Sequence, residues 1–248
     1  MTEARVKLIV DDIVEAVRDV LRKHNVTFPE YRAGFFHLLE TAKSGEMGLL
    51  IDMLFNQTVC DIEMQSREGT RFCVEGPYFL EGAPEVKDAI KLRGDYEPLL
   101  IRGQITSTDG APLKDAVLDV WFADPDGFYS GFEDDFPIEY CRGKVRTDAD
   151  GHYAVKASVP GEYPITRERH GPTGQLVEML GRQGWRPSHV HFKANKEGFR
   201  SLTTQAYFEG TSYLDNDPVE AVFDDLTHAT TQEDGTRVLE VDFALDPA

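Results

Sequence analysis

The hydrophobic pattern of this chain changes period near residue 99, from helical to strand-like. Before that point, apolar residues recur at three- and four-residue spacing, which places them on one face of a helix. The clearest stripe comprises Val6, Ile9, Val10, Ile13, Val14, Val17, Val20 and Leu21. From Leu99 onward, short β-rich runs are separated by turns such as Asp109-Gly110 and Asp150-Gly151. This spacing is typical of an antiparallel β-sandwich, so the chain is predicted to be mainly β with N-terminal helices.

Local signals place the individual elements. A second helix is predicted to begin at Thr27, with Pro29 in its first turn and Glu30 reaching back to the cap. The pattern also predicts a third helix over about 46–58 and a last helix over 218–227. Between these helices it predicts strands over 99–106, 116–121, 152–159, 189–194 and 203–208. No flexible linker is evident. The predicted division is a helical region, residues 1–90, followed by a β-sandwich region, residues 91–248.

Composition excludes several classes of partner. The chain of 248 residues has 44 acidic and 26 basic side chains and a formal net charge of −18, so it would be repelled by nucleic acid and by anionic membranes. No apolar run approaches the roughly 20 residues of a membrane span, and the charged N-terminus lacks the apolar core of a signal peptide. The scattered residues Cys60, Cys73 and Cys141 are interpreted as reduced. We therefore expect a cytoplasmic protein without membrane insertion.

The segment Arg186-Pro187-Ser188-His189-Val190-His191-Phe192 is the sharpest candidate for chemistry. Alternate residues of a strand face the same side, so His189 and His191 would point together while Val190 and Phe192 enter the opposite layer. Two imidazoles on one face can bind Zn, Cu, Fe or Ni. A His-x-His pair alone is weak evidence for a metal site, since many such histidines are ordinary core or surface residues.

Two loop tyrosines bear on the choice of metal. Tyr129 follows a predicted strand in Gly127-Phe128-Tyr129-Ser130, and Tyr163 lies in Pro160-Gly161-Glu162-Tyr163-Pro164. A buried tyrosine is usually a core residue with a hydrogen-bonded hydroxyl. As a phenolate, however, tyrosine is a hard anionic donor that suits ferric iron. The residues alone leave both interpretations open.

The sequence resembles the intradiol catechol dioxygenases. The resemblance spans nearly the whole chain in order and rests on Glu75-Gly76-Pro77-Tyr78, Glu81-Gly82-Ala83-Pro84, Gly110-Ala111-Pro112, Val117-Leu118-Asp119-Val120-Trp121, Gly127 to Ser130, Gly171-Pro172-Thr173-Gly174, Gly181-Arg182 to Phe192, and Leu202-Thr203-Thr204-Gln205. It implies a transthyretin-like β-sandwich catalytic core. The short chain and the segment Tyr78 to Pro84 look most like the members that cleave chlorocatechols, with catechol- or hydroxyquinol-cleaving members as the alternative.

The resemblance also implies roles. Tyr129, Tyr163, His189 and His191 would be the ligands of Fe(III), with Tyr163 the ligand that substrate displaces. Catechols and O2 would be the substrates, and cis,cis-muconates the products. Arg186 and Gln205 would lie beside the substrate, with Arg186 stabilising negative charge on the ring. The substrate wall would comprise Leu49, Asp52, Met53, Val74, Gly76, Pro77 and Tyr78, and more loosely Val219 and Ala221.

Family members dimerise through their N-terminal helices and often carry a phospholipid there, so a homodimer with bound phospholipid is expected here. Two positions depart from the relatives. Phe122 stands where many carry histidine, and Met53 lies at a variable position of the predicted wall.

Two other functions remain open. His189, His191 and a carboxylate would form a zinc or copper site in a different metalloenzyme. The strand-turn-strand segment from Leu99 to Ser158 also resembles transthyretin-like modules, which often only bind partners. A non-enzymatic module would have no need of the histidine pair and both loop tyrosines together.

Overall fold

The computed structural model describes residues 1–166 and 171–248, and two compact units make up the chain, residues 1–47 and residues 48–248. The predicted division of roles at residue 90, between dimerisation and catalysis, stays a prediction. No helix of the described residues is long and apolar enough to cross a membrane. The three cysteines are buried and unpaired, as expected.

The first unit holds α1 (Glu3–Lys23) and α2 (Phe28–Lys43). The hydroxyl of Thr2 caps α1, and Thr27 and Glu30 form the predicted capping box at the start of α2. The predicted apolar stripe lies on α1, but no residue of this helix is buried. Ile13, for example, keeps 57% of its surface exposed. A single chain therefore leaves this apolar face in contact with solvent.

The second unit begins with an interrupted helix. α3 (Met47–Ile51) leads into a π-helical turn (Asp52–Asn56), and α4 (Gln57–Met64) continues it. The predicted third helix is confirmed, but it extends six residues beyond Thr58, to Met64. A π-helical turn arises where one extra residue is accommodated in a helix, and such turns are frequent at functional sites.

Twelve strands lie in the described residues: β1 (Pro98–Ser107), β2 (Val117–Phe122), β3 (Arg142–Arg146), β4 (His152–Ser158), β5 (Tyr163–Pro164), β6 (Trp185–Arg186), β7 (His189–Asn195), β8 (Leu202–Phe208), β9 (Thr227–His228), β10 (Thr231–Glu233), β11 (Thr236–Glu240) and β12 (Phe243–Leu245). A further helix, α5 (Pro172–Met179), precedes β6. One sheet has the order β3-β2-β7-β8-β9, the other has the order β10-β11-β1-β12 with β4 also paired to β1, and β5 pairs with β6.

Most pairs are antiparallel, so the predicted sandwich is confirmed, but β1 pairs in parallel with β11 and β12, and β8 with β9. β11 and β12 share one edge of β1, along Leu99–Arg102 and Ile105–Ser107. The segment that joins β11 to β12 passes close to Gly103 of β1, where an added Cβ would lie only 1.8 Å from the carbonyl oxygen of Val241. Only glycine allows this approach.

The main core is built from strands of both sheets, and β2 divides its side chains between it and a second cluster that includes Trp121, Tyr129 and Tyr163. Val190 and Phe192 enter the core, as predicted, while His189 and His191 face the other side. Phe122 is fully buried in the same core. The departure at this position is therefore a packing difference away from the candidate site.

The predicted helix over 218–227 is wrong. The only helical turn there is a 3-10 turn at Asp224–Leu226. Glu220 has φ of 57°, in the left-handed region, and Phe223 is extended, and both conformations are incompatible with an α-helix. The apolar spacing of this segment instead places Val219 and Ala221 in a buried cluster beside the pocket.

Candidate metal centre

The four predicted donor side chains meet at one point. β7 contributes His189 and His191, the loop after β2 contributes Tyr129, and β5 contributes Tyr163. The distance between the two histidine Nε2 atoms is 3.0 Å, and the Tyr129 hydroxyl lies 3.2 Å from His191 Nε2. The Tyr163 hydroxyl lies 3.4 Å from His189 Nε2 and 3.3 Å from the Tyr129 hydroxyl. All four side chains are buried.

The protonation of His189 favours an ion between the two rings. Its Nδ1 lies 2.6 Å from the carbonyl oxygen of Pro187, to which it donates, so its Nε2 presents a lone pair to the cluster. Burial, and then the charge of Arg186, hold the pKa of both histidines well below the ordinary value, so both rings are neutral. A cation between the two Nε2 atoms would bind both lone pairs.

The donor set fits a single metal ion. Bonds of about 2.0–2.2 Å to one ion leave neighbouring donor atoms about 3 Å apart, which is the observed spacing. Burial, and then the neighbouring Tyr163, raise the pKa of the Tyr129 phenol well above its ordinary value, so a phenolate there needs a cation beside it. Two potential phenolates suit a hard, highly charged ion better than zinc or copper.

Two glycines bring the tyrosine loops together. Gly127 has φ of +86°, and an added Cβ would lie 3.0 Å from both the Glu162 carbonyl oxygen and Tyr163 Cβ. An added Cβ at Gly161 would lie 2.3 Å from the carbonyl oxygen of Pro125. These close approaches explain why both loops carry glycine beside a donor tyrosine.

A buried carboxylate also fixes the first of these loops. Asp124 is fully buried and accepts hydrogen bonds from the backbone N–H groups of Asp126 and Phe128. Arg93 pairs with its other oxygen at 3.0 Å. Asp124 was not predicted, although an aspartate three residues before a glycine is a recognisable turn signal.

Aromatic stacking holds two of the donors in orientation. The indole of Trp121 lies parallel to the His191 ring, with centroids 4.8 Å apart, and the Tyr78 ring lies 4.2 Å from that of Tyr129. His191 Nδ1 is buried and has no hydrogen-bond partner among the described residues. The two histidines are therefore held differently, His189 by a hydrogen bond and His191 by stacking.

Arg186 lies directly behind the cluster. Its Nε and Nη2 donate to the two oxygens of Asp217, at 3.0 and 3.2 Å, and Nη2 also reaches the Tyr207 hydroxyl at 2.6 Å. Its Nη1 lies 3.2 Å from His189 Nε2. Burial lowers the pKa of Arg186, but the combined effect of Asp217, Tyr207 and Tyr163 outweighs burial and raises it above the ordinary value. Arg186 is therefore a permanently charged group aimed at the donors.

Asp217 and Tyr207 are further functional residues that sequence reasoning missed. Asp217 lies in the turn Asp215-Asn216-Asp217-Pro218, which reads as an ordinary surface loop. Gln205, predicted beside the substrate, instead accepts from Arg186 and Tyr207 and donates to the Val74 carbonyl oxygen at 2.6 Å. It supports Arg186 from behind and does not line the pocket.

A small apolar pocket opens next to the donors. It is lined by Leu49, Asp52, Met53, Val74, Gly76, Pro77, Tyr78, Tyr163, Ile165, Arg186, His191 and Val219. Eight of the nine predicted wall residues are in this set. Ala221 is not: it is buried behind the wall, and its backbone N–H donates to Asp217. Ile165 was not predicted, because nothing in its local sequence distinguishes it from a core residue.

A sandwich that brings two histidines and two tyrosines together beside a small apolar pocket has the features of a metal-dependent enzyme with a small, largely apolar substrate. Comparisons with known proteins narrow this class. A family model described as "Dioxygenase" matches residues 74–247, and one described as "Catechol dioxygenase N terminus" matches residues 3–71.

Individual relatives agree with the family models. The chain is 45% identical to a chlorocatechol 1,2-dioxygenase of Pseudomonas putida, over 98% of this chain and 94% of that protein. It is 42% identical to a chlorocatechol 1,2-dioxygenase of Cupriavidus pinatubonensis, over 98% and 96%. A crystal structure of chlorocatechol 1,2-dioxygenase from Pseudomonas putida superposes with a TM-score of 0.95 at 45% identity, over 99% of this chain and 100% of that one.

The chain therefore belongs to the intradiol catechol dioxygenases, and the resemblance carried by its motifs is confirmed. Membership makes it a ring-cleaving enzyme, which excludes the purely binding module. The zinc or copper alternative is not supported either, because among the described residues no carboxylate or thiol joins His189 and His191 in a cluster that could hold a metal ion.

Proposed function

We propose that this enzyme binds Fe(III) through Tyr129, Tyr163, His189 and His191, and opens the ring of chlorinated catechols between the two hydroxyl-bearing carbons. The substrates are the catechol and O2, and the products are chlorinated cis,cis-muconates. The observation that carries the proposal is that the buried N2O2 donor cluster faces a small apolar pocket.

The bound ferric ion would draw electron density from the catecholate ring and so make it reactive toward O2. The protein residues prepare that ring. Tyr163 lines the pocket whereas Tyr129 does not, so the Tyr163 oxygen is the donor that meets an incoming catechol and can accept its proton. This geometry supports Tyr163 as the exchangeable ligand and Tyr129 as the permanent one.

Arg186 is suited to stabilise negative charge on the substrate. The lone pair of His189 Nε2 cannot serve both an ion and Arg186 Nη1, so Nη1 is available to a substrate oxygen when the ion is bound. The other donors of this guanidinium stay fixed by Asp217, Gln205 and Tyr207. A preorganised cation of this kind stabilises charge that develops in the transition state.

The apolar wall favours a chlorine substituent. Leu49, Met53, Val74, Ile165 and Val219 offer apolar contacts, and relatives that share 42–45% identity act on chlorocatechols by name. One observation favours a second candidate. Asp52 places a carboxyl group in the same pocket and could bind a third ring hydroxyl, and a 6-chlorohydroxyquinol 1,2-dioxygenase is 33% identical. One methylene-sized difference in a wall is worth about 1–3 kcal/mol, which is enough to reorder such substrates.

A substrate panel tests the proposal. We expect about one iron per chain, a red-brown tyrosinate charge-transfer band, and a higher kcat/KM for chlorocatechols than for methylcatechol, catechol or hydroxyquinol. Tyr163→Phe should keep the fold but lose most of the turnover, because the proton acceptor is gone. Yellow semialdehyde products, from cleavage outside the two hydroxyl groups, or an iron-free active enzyme would refute the assignment.

The exposed apolar face of α1 supports the expected homodimer with phospholipid. Val10, Ile13, Val17 and Val20 are each at least half exposed in the single chain, which is unfavourable unless another surface covers them. Light scattering should give twice the mass of one chain, and mass spectrometry of an organic extract should detect phospholipid. Ile13→Glu should yield monomer, while the matched change Asp12→Glu on the same helix should not.

A further inference from the structure

A second buried arginine lies close to the donor cluster and has no role in the function proposed above. Arg142 begins β3 and is only 1% exposed. Its Nε donates to the Ser130 hydroxyl at 2.8 Å and its Nη2 to the Ser130 carbonyl oxygen at 2.6 Å. Its Nη1 donates to the Tyr78 carbonyl oxygen at 3.2 Å. All three acceptors are neutral oxygens.

Arg142 lacks a counter-charge. Within residues 1–166 and 171–248, no carboxylate oxygen lies within 4.0 Å of its guanidinium. Burial lowers its pKa to about 10, so the group still carries its charge at neutral pH. A buried, unpaired cation is costly, and proteins ordinarily pair it or leave it near an anion that binds later.

The contacts of Arg142 connect a metal ligand to the substrate wall. Ser130 directly follows Tyr129, so two of the hydrogen bonds, one to its hydroxyl and one to its carbonyl oxygen, hold the residue next to that donor in place. The third fixes Tyr78, which lines the pocket and whose ring stacks on the Tyr129 ring with 9° between the planes. One guanidinium thus sets the relative position of a donor and of the surface on which substrate would lie.

We propose that Arg142 is a positioning residue of the ring-cleavage site, which clamps the Tyr129 loop to Tyr78 and supplies an unneutralised positive charge that favours anions at the donor cluster. The inference rests on the proposed function, since the anions in question are tyrosinate and catecholate. A charge in a low-dielectric interior acts beyond hydrogen-bond distance, so it needs no direct contact with these groups. Arg142 therefore increases the affinity of the site for a catecholate anion.

The test compares charge-keeping and charge-removing substitutions in the iron-loaded enzyme. Arg142→Lys keeps the charge, and Arg142→Gln and Arg142→Met remove it. The measurements are iron per chain, the position of the charge-transfer band, and the dissociation constant of catechol titrated without O2, so that substrate binds but is not consumed. We expect both neutral variants to weaken catechol binding by about tenfold or more and to shift the band. Arg142→Lys should remain within about threefold of the wild type.

Arg67→Gln is the matched control. Arg67 is another buried arginine, but its partners are Glu63, Ser201 and Asp246, which include no donor or pocket residue. This variant should lose stability and keep both the catechol affinity and the band. If Arg142→Gln does not fold, Arg142→Met supplies the neutral variant, and Arg142→Lys tests the charge by itself.

The proposal is overturned if a neutral variant binds catechol as the wild type does with an unshifted band, or if Arg142→Lys is as impaired as the neutral variants. The first result would mean that the charge is irrelevant, and the second that only the shape of the guanidinium matters. A wild type that binds no iron or gives products of cleavage outside the two hydroxyls would instead refute the proposed function. The two failures are therefore distinguishable.

Discussion

Two buried arginines flank the same four donors, and the protein treats their charges in opposite ways. Arg186 is bound by both oxygens of Asp217, whereas the hydrogen-bond acceptors of Arg142 among the described residues are the neutral oxygens of Ser130 and Tyr78. The pKa of each arginine reflects its surroundings: burial lowers it for both, but for Arg186 the combined effect of Asp217, Tyr207 and Tyr163 outweighs burial. The comparison shows that burial alone does not decide what an interior cation does.

The difference separates orientation from net charge. The Arg186–Asp217 pair is neutral as a unit, so it aims donors without adding charge to the interior. Arg142 adds one positive charge on the side of Tyr129. The site therefore has one arginine suited to directed hydrogen bonds with substrate and one suited to general attraction of anions. The first two predictions below would contradict or refine this distinction, and the third concerns a carboxyl group in the same pocket.

The largest effect is expected for Asp217→Ala, because it leaves Arg186 as an uncompensated buried charge. Breaking a buried pair in this way costs about 3–5 kcal/mol. Arg142→Met leaves no charge behind, only carbonyl groups without donors, at about 1–3 kcal/mol. Urea unfolding of both iron-free variants measures the free energies. A larger loss for Arg142→Met than for Asp217→Ala would contradict the comparison.

Removing one hydroxyl on each side should give a smaller, still unequal effect. Ser130→Ala deletes a neutral acceptor from an arginine that has no carboxylate, and we expect a loss of about 1.5–3 kcal/mol, as for hydrogen bonds to charged groups. Tyr207→Phe deletes an acceptor from Arg186, which keeps Asp217, so about 1 kcal/mol is expected. The same unfolding measurement applies. Equal losses would mean that the carboxylate of Asp217 does not lessen the cost of removing a hydrogen-bond acceptor from Arg186.

The smallest effect concerns Asp52, a carboxyl group that lines the same pocket. Burial, and then the nearby Glu75, raise the pKa of Asp52. The folded state therefore holds this proton more tightly than the unfolded chain, and stability falls as pH rises through the interval between the ordinary value, about 4, and the raised one. Asp52→Asn removes this loss, so Tm at pH 7 should rise, by no more than about 2 °C. Thermal unfolding at pH 7 and at pH 3.5 checks this prediction, and the gain in Tm should vanish at pH 3.5.

Sequence reasoning predicted those parts of the site that depend on local geometry. His189 and His191 follow from strand alternation alone, and the capping box of Thr27 and Glu30 from adjacent residues. Tyr129 lies in a loop and Tyr163 in the two-residue strand β5, where spacing says little, and only the family resemblance singled them out. Both loops meet in the structure because glycines allow their backbones to touch.

The remaining features depend on contacts between distant parts of the chain. Arg142 reaches Tyr78, 64 residues earlier, and Asp217 reaches Arg186 from 31 residues later, so neither had a local signal. The wrong helix over 218–227 has the same origin: Asp217 binds the backbone of Ala221 and holds the segment in a turn despite its apolar spacing. For the same reason Ala221 was predicted in the pocket wall, although it lies behind that wall.

The π-helical turn at Asp52–Asn56 has a consequence for how the substrate range of such an enzyme changes over evolution. A turn of this kind contains one residue more than a regular helix needs, and the side chains of Asp52 and Met53 enter the pocket from it. Deleting a single codon there would restore regular winding and change which side chains enter the pocket, while the helices on either side keep their orientation, because the turn already accommodates the extra residue. Gene-length variation at this point can therefore reshape the cavity in one step, without altering any of the four proposed metal ligands.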